Sequence, residues 1–126
     1  MHHLLVTTGS DFAGHEIAAH LGVVRGLVVR ANNFVANLVG GVKGIFGGNI
    51  AEYEAICEEA RQQAFERMKE HARRMGAHGI IAVRFDTAEF APGVAEVLAY
   101  GTAVSFTKPP PPPEHWKFAQ DKPDRA

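Results

Sequence analysis

Residues 52–76 read EYEAICEEARQQAFERMKEHARRMG, and the spacing of their apolar positions decides the fold. Tyr53, Ile56, Cys57, Ala60, Ala64, Met68, Ala72 and Met75 recur at steps of three and four, the period of one face of an α-helix. Glu54, Glu58, Arg61, Gln62, Glu66, Lys69, Glu70 and Arg73 fall between them and supply a wet face. The acidic residues Glu52, Glu54, Glu58 and Glu59 crowd the start, and Arg67, Lys69, Arg73 and Arg74 the end, which suits the helix dipole. Gly76 can adopt the positive φ that closes a helix C-terminus. An amphipathic helix of this length needs an apolar surface to lie on.

That surface is sought in the strands on either side. Ile80 to Asp86, IIAVRFD, is β-prone, and Pro92 and Gly93 in EFAPGV turn the chain. From Ala95 to Thr107 one face of the predicted strand carries Leu98, Tyr100, Thr102, Val104 and Phe106. The other carries Ala99, Gly101, Ala103 and Ser105, a smooth surface on which Ala60, Ala64 and Ala72 of the helix can approach closely. Before the helix, Leu4 to Thr8 is a short β-prone run ended by the turn-forming TGSDFAG. His15 to Arg30 is rich in Val, Ile and Leu, and predicts one long bent strand or two short ones. Its Gly22 and Gly26 mark a bulge or a close backbone approach. The expected order is β-β-α-β-β, an α+β domain with one long helix packed on an antiparallel sheet.

With 126 residues the chain fits one domain. The formal charge of −1 comes from interspersed acids and bases, so no basic stripe is available to follow a nucleic-acid backbone. One cysteine excludes an internal disulfide framework and suits the cytoplasm. The N-terminus lacks a signal-peptide pattern, and the most apolar segment, FVANLVGGVKGIF, is short and interrupted by Lys43, so no membrane partner is expected. Five consecutive prolines, Pro109 to Pro113, favour an extended polyproline rod. Residues 1–108 are therefore expected to form the domain and 109–126 a proline-rich tail. That tail acts as a spacer or docks through its prolines on a protein partner, and Trp116 and Phe118 can instead bury against a neighbouring subunit.

The glycine-rich GGVKGIFGG before the helix fits no phosphate motif, because Gly48 is followed by Asn49 and Ile50 rather than Lys and a hydroxyl residue. Gly47 and Gly48 are expected to form a structural joint that lets Tyr53 seat the helix on the sheet. Seven histidines raise the question of metal. Cys57 and His71 share a helix but lie fourteen residues apart, about 21 Å at the helical rise, and no HxxxH, CxxC or CxxH spacing occurs. The spacing therefore argues against a zinc site built within one chain. Two routes remain: a site assembled between subunits from residues such as His71, His78 and Cys57, and the N-terminal MHH, where His3 binds copper or nickel together with the free amine. Cys57, on the apolar stripe, reads as a buried small hydrophobe. Ser10, Asp11 and His15 lie in a turn that fixes no triad. No enzyme site is expected.

LGVVRG (21–26), Ala31 and Asn32, Gly47 and Gly48 ahead of Tyr53 and Glu54, MGAHGII (75–81) and YGTAV (100–104), in this order and spacing, resemble the YbjQ family. These are small bacterial proteins of unassigned function that carry a heavy-metal-binding label, and the resemblance spans Leu4 to Lys108. It implies a dodecin-type α+β subunit in a ring-shaped homopentamer, with a divalent transition-metal ion as the implied cofactor. The sequence departs from the family pattern where an aspartate precedes the double glycine and an arginine follows it. A third departure is GAH at 76–78, where GAD or GAN is usual. The expected function is a non-enzymatic homo-oligomer that binds a metal ion at subunit interfaces; the alternative is a structural ring that displays its proline-rich tail to a protein partner.

Overall fold

The apolar stripe of residues 52–76 folds as one continuous helix and is laid on a sheet. The computed structural model describes residues 3–31 and 50–110, with side chains at all of these except 50–53 and 90. In chain order the elements are β1 (Leu5–Val6), β2 (Ile17–Ala31), α1 (Ile50–Arg74), β3 (Gly79–Ala91) and β4 (Val94–Phe106). The strands form a four-stranded sheet in the order β1-β3-β4-β2. The fold is α+β, with one helix among the described residues.

Ala60, Ala64, Met68 and Ala72 form a buried row four residues apart on α1. It packs on Val24 and Val28 of β2, Val97, Ala99 and Ala103 of β4, and Ile80 and Val83 of β3. Each fully buried side chain of the size of Val or Met contributes roughly 1.5–3 kcal/mol. The smooth face predicted for the last strand is therefore the one the helix uses. Gly26 pairs with Ala99 across β2 and β4, and a Cβ on Gly26 would collide with the Ala64 carbonyl oxygen and the Met68 amide. The second expectation for this strand is met at Gly22, which lies at a register shift with φ of 127°. β2 is thus one long bulged strand rather than two.

At its C-terminus α1 closes with Gly76 at φ 75°. The Gly76 amide donates to the Arg73 carbonyl at 2.9 Å and the Ala77 amide to the Ala72 carbonyl at 3.1 Å. This is the hydrogen-bond pattern of a Schellman cap. β3 and β4 then form a hairpin around Pro92 and Gly93, and Ala91 pairs with Val94. β3 outlasts the IIAVRFD run by five residues, because Thr87 to Ala91 continue the ladder along β4.

Two expectations need correction. The sheet is mixed rather than antiparallel, because β1 pairs with β3 in parallel, Leu5 beside Gly79 and Val6 beside Ile80. β1 and β2 therefore stand at opposite edges of the sheet, and residues 7–16 carry the chain from one to the other. On this path Phe12 meets the Phe106 ring edge-on at 5.4 Å. A second small core forms there from Leu5, Phe12, Ile17, Ile81, Val104 and Phe106. The other correction concerns Cys57, which is exposed rather than buried. It lies on the apolar side of α1, but Glu59 already reaches Arg30, the last residue but one of β2. Ala60 is the first buried side chain described on α1, so the packed stretch of the helix begins after Cys57.

Candidate functional site

His71 sits near the end of α1, beside the outer edge of β2. Its Nδ1 accepts the backbone N–H of Arg25 at 3.2 Å. One turn earlier Arg67 donates from Nη1 to the Leu27 carbonyl at 2.6 Å. In the antiparallel pairing of β2 with β4, the outward amide of Arg25 and carbonyl of Leu27 have no strand beside them among the described residues. The helix row Glu59, Gln63, Arg67 and His71 runs along this edge, with Arg30 of β2 held 3.7 Å from Glu59 and Gln63 donating to Glu59 at 3.4 Å. Side chains of α1 thus satisfy and block an edge that would otherwise template further strands. Sequence reasoning misses this role, although a row of long polar residues displaced by one position from the alanine row is its trace.

His78 lies in the short link between α1 and β3. Its Nδ1 accepts the Phe106 N–H at 2.8 Å, its own amide donates to the Val104 carbonyl at 2.9 Å, and its carbonyl accepts from the Leu5 amide at 3.1 Å. The imidazole lies nearly parallel to the Phe106 ring, with centroids 5.8 Å apart. His78 therefore fastens the link to both β1 and β4.

A ring nitrogen that accepts an N–H carries no proton, so each neutral imidazole must hold its proton on Nε2. Metal-bound histidines do the reverse: one nitrogen gives its lone pair to the ion and the other donates an N–H outward. His3 and Cys57, the remaining candidates, are exposed. Among the described residues no three His, Cys, Asp or Glu side chains converge on one point. The described residues of a single chain therefore do not fit a heavy-metal ion. Of the expected joint, Gly47, Gly48 and the Tyr53 side chain lie outside what is described, while the Tyr53 backbone belongs to α1.

An open cleft of about 410 Å³ lies where the chain leaves β4, lined by His15, Glu16, Thr107 and Lys108 among others. His15 stacks on Phe106 with centroids 4.9 Å apart, and the Thr107 amide donates to the Glu16 carbonyl at 2.9 Å. The cleft brings together an imidazole, a carboxylate and an ammonium group. Among the described residues no hydrogen bond links Ser10 or Asp11 to His15.

The sheet face opposite α1 carries an apolar surface left open by the described residues. Val23 is 67% exposed, Leu27 42%, Val29 50% and Tyr100 37%. They share this face with half-buried Leu98 and Thr102, since Val23 pairs with Thr102 and Leu27 with Leu98. Arg25, Arg84, Asp86 and Glu96 are charged residues interleaved there, since Arg84 pairs with Tyr100 and Asp86 with Leu98. An apolar patch rimmed by charge marks an interaction surface. No helix among the described residues is long and apolar enough to cross a membrane.

Comparison with known proteins places these features in a group. Residues 4–107 match the YbjQ family model, which is described as "Putative heavy-metal-binding". The UPF0145 protein of Burkholderia ambifaria is 48% identical over 103 residues, covering 82% of this chain and 84% of the relative. A UPF0145 protein of Burkholderia mallei is 50% identical over 104 residues, covering 82% and 94% respectively. Among solved structures, a Pediococcus pentosaceus protein of unknown function from the DUF74 family superposes with a TM-score of 0.55. It is 20% identical and covers 82% of this chain and 97% of its own, a likeness of fold.

Proposed function

The chain belongs to the YbjQ family, whose function is unassigned, and from that membership we propose that it is a non-enzymatic homo-oligomer holding a divalent transition-metal ion with ligands drawn from more than one subunit. The observation that carries this reading is the open apolar face of Val23, Leu27, Val29 and Tyr100, which a second copy would cover. Assembly also supplies what one chain lacks, because side chains that stay apart in a monomer can converge about a symmetry axis. Exposed Cys57 and His3 are the donors open to such a site. The ring of five subunits implied by the family resemblance is the assembly we expect.

The test uses untagged full-length protein, purified without chelator. Its mass in solution is measured by light scattering, and zinc, cobalt, nickel and copper are titrated separately by calorimetry. An oligomer that binds one of them well below millimolar, a threshold of about −4 kcal/mol, supports the reading. A monomer removes the assembly, and binding no tighter than millimolar removes the ion.

A further inference from the structure

We propose that His71 and His78 are backbone acceptors fixed as the Nε2–H tautomer, and that any metal ion this protein binds takes no ligand from either. The proposal runs against the family's heavy-metal description where these two residues are concerned. It goes beyond the assembly reading and does not depend on it, since the two imidazoles have this role whether or not an ion is present.

Both rings use the same device at different places. His71 receives the amide of Arg25, 46 positions away, and His78 the amide of Phe106, 28 positions away. Ligation through Nδ1 would displace that amide and leave a strand N–H without its partner, a loss the fold resists. Ligation through Nε2 would require the proton to move to Nδ1, where it would point at the amide hydrogen. Either route breaks the same bond. The surroundings also hold each ring in place. His78 is stacked on Phe106 while its own amide and carbonyl are engaged by Val104 and Leu5. His71 is followed along the same edge by the Arg67 bond to Leu27. Each imidazole thus joins the C-terminal end of α1, or the link that follows it, to a strand.

Two measurements on the full-length protein test this. In a long-range nitrogen–proton correlation spectrum of ¹⁵N-histidine-labelled protein, His71 and His78, assigned through H71N and H78N, should each show a protonated Nε2 and a bare Nδ1. Neither should shift when zinc is added. A protonated Nδ1 in either ring, or a zinc-induced shift, overturns the proposal for that residue even where calorimetry shows zinc bound. If zinc does not bind at all, the tautomer alone upholds or overturns the proposal, and only the metal reading above falls. The second measurement is thermal unfolding. Asn carries its Oδ1 on Cγ, where His carries Nδ1, whereas Ala has no acceptor. H71N and H78N should unfold within about 2 °C of the parent, and H71A and H78A about 4–8 °C lower, the shift that the loss of one such bond produces in a domain this size. Equal losses for Asn and Ala would overturn the acceptor role.

Discussion

At Gly26 a single hydrogen lets α1 lie on β2. Any larger side chain there meets the Ala64 carbonyl, the Met68 amide and the Arg67 Cβ, all belonging to helix backbone or to its first side-chain atom, none of which can swing aside. Gly26→Ala should therefore cost about 3 kcal/mol or leave the protein unfolded, at the upper end of overpacking effects, as read by urea unfolding monitored by circular dichroism. This residue is legible in the sequence, because a glycine inside a β-branched run signals a bulge or a close backbone approach. The histidines are not. Their number suggests ligands, yet a bond from Arg25 to His71 spans 46 positions and leaves no mark in local spacing.

Among the elements, α1 is the most legible and its surroundings the least. The three- and four-residue steps locate the helix to within two residues at each end, and the small face of β4 shows where it rests. What spacing cannot supply is how far the packed surface extends beneath it, so Cys57 reads as buried although it is exposed. The parallel pairing of β1 is equally hidden, since a two-residue strand carries no pattern that selects its neighbour. The polar row of α1 offers a direct test. Arg67→Met keeps an apolar stem of similar length but removes the donor to the Leu27 carbonyl. It should lower stability by about 1 kcal/mol and open part of the β2 edge. Urea unfolding reads the first effect, and light scattering at rising concentration reads the second as increased association.

At the scale of the molecule, the decisive feature among the described residues is a sheet covered by its helix on one side and left open in the middle of the other. Val24 and Val28 point toward α1 while Val23, Leu27 and Val29 point away. The sequence of β2 is apolar on both faces, a pattern that strands acquire when both sides are covered. That pattern is visible in the sequence, but not what covers the second side. The double variant Leu27→Lys/Val29→Lys places two charges on the open face without touching the α1 core. It should keep its helical and strand circular dichroism while its solution mass falls from oligomer to monomer. An unchanged mass would show that subunits meet elsewhere.

The placement of β1 also sets an order in time. Leu5 is 74 positions from its partner Gly79 (79 − 5), whereas β3 and β4 are joined by two residues. Closing so long a loop is entropically costly until the rest of the sheet exists. The helix and the hairpin can form from neighbouring segments, but β1 has no edge to join before β3 is in place. The N-terminal strand is thus the first part of the domain to be synthesised and among the last to dock. Its late arrival brings residues 7–16 across the sheet to close the second core over Phe106.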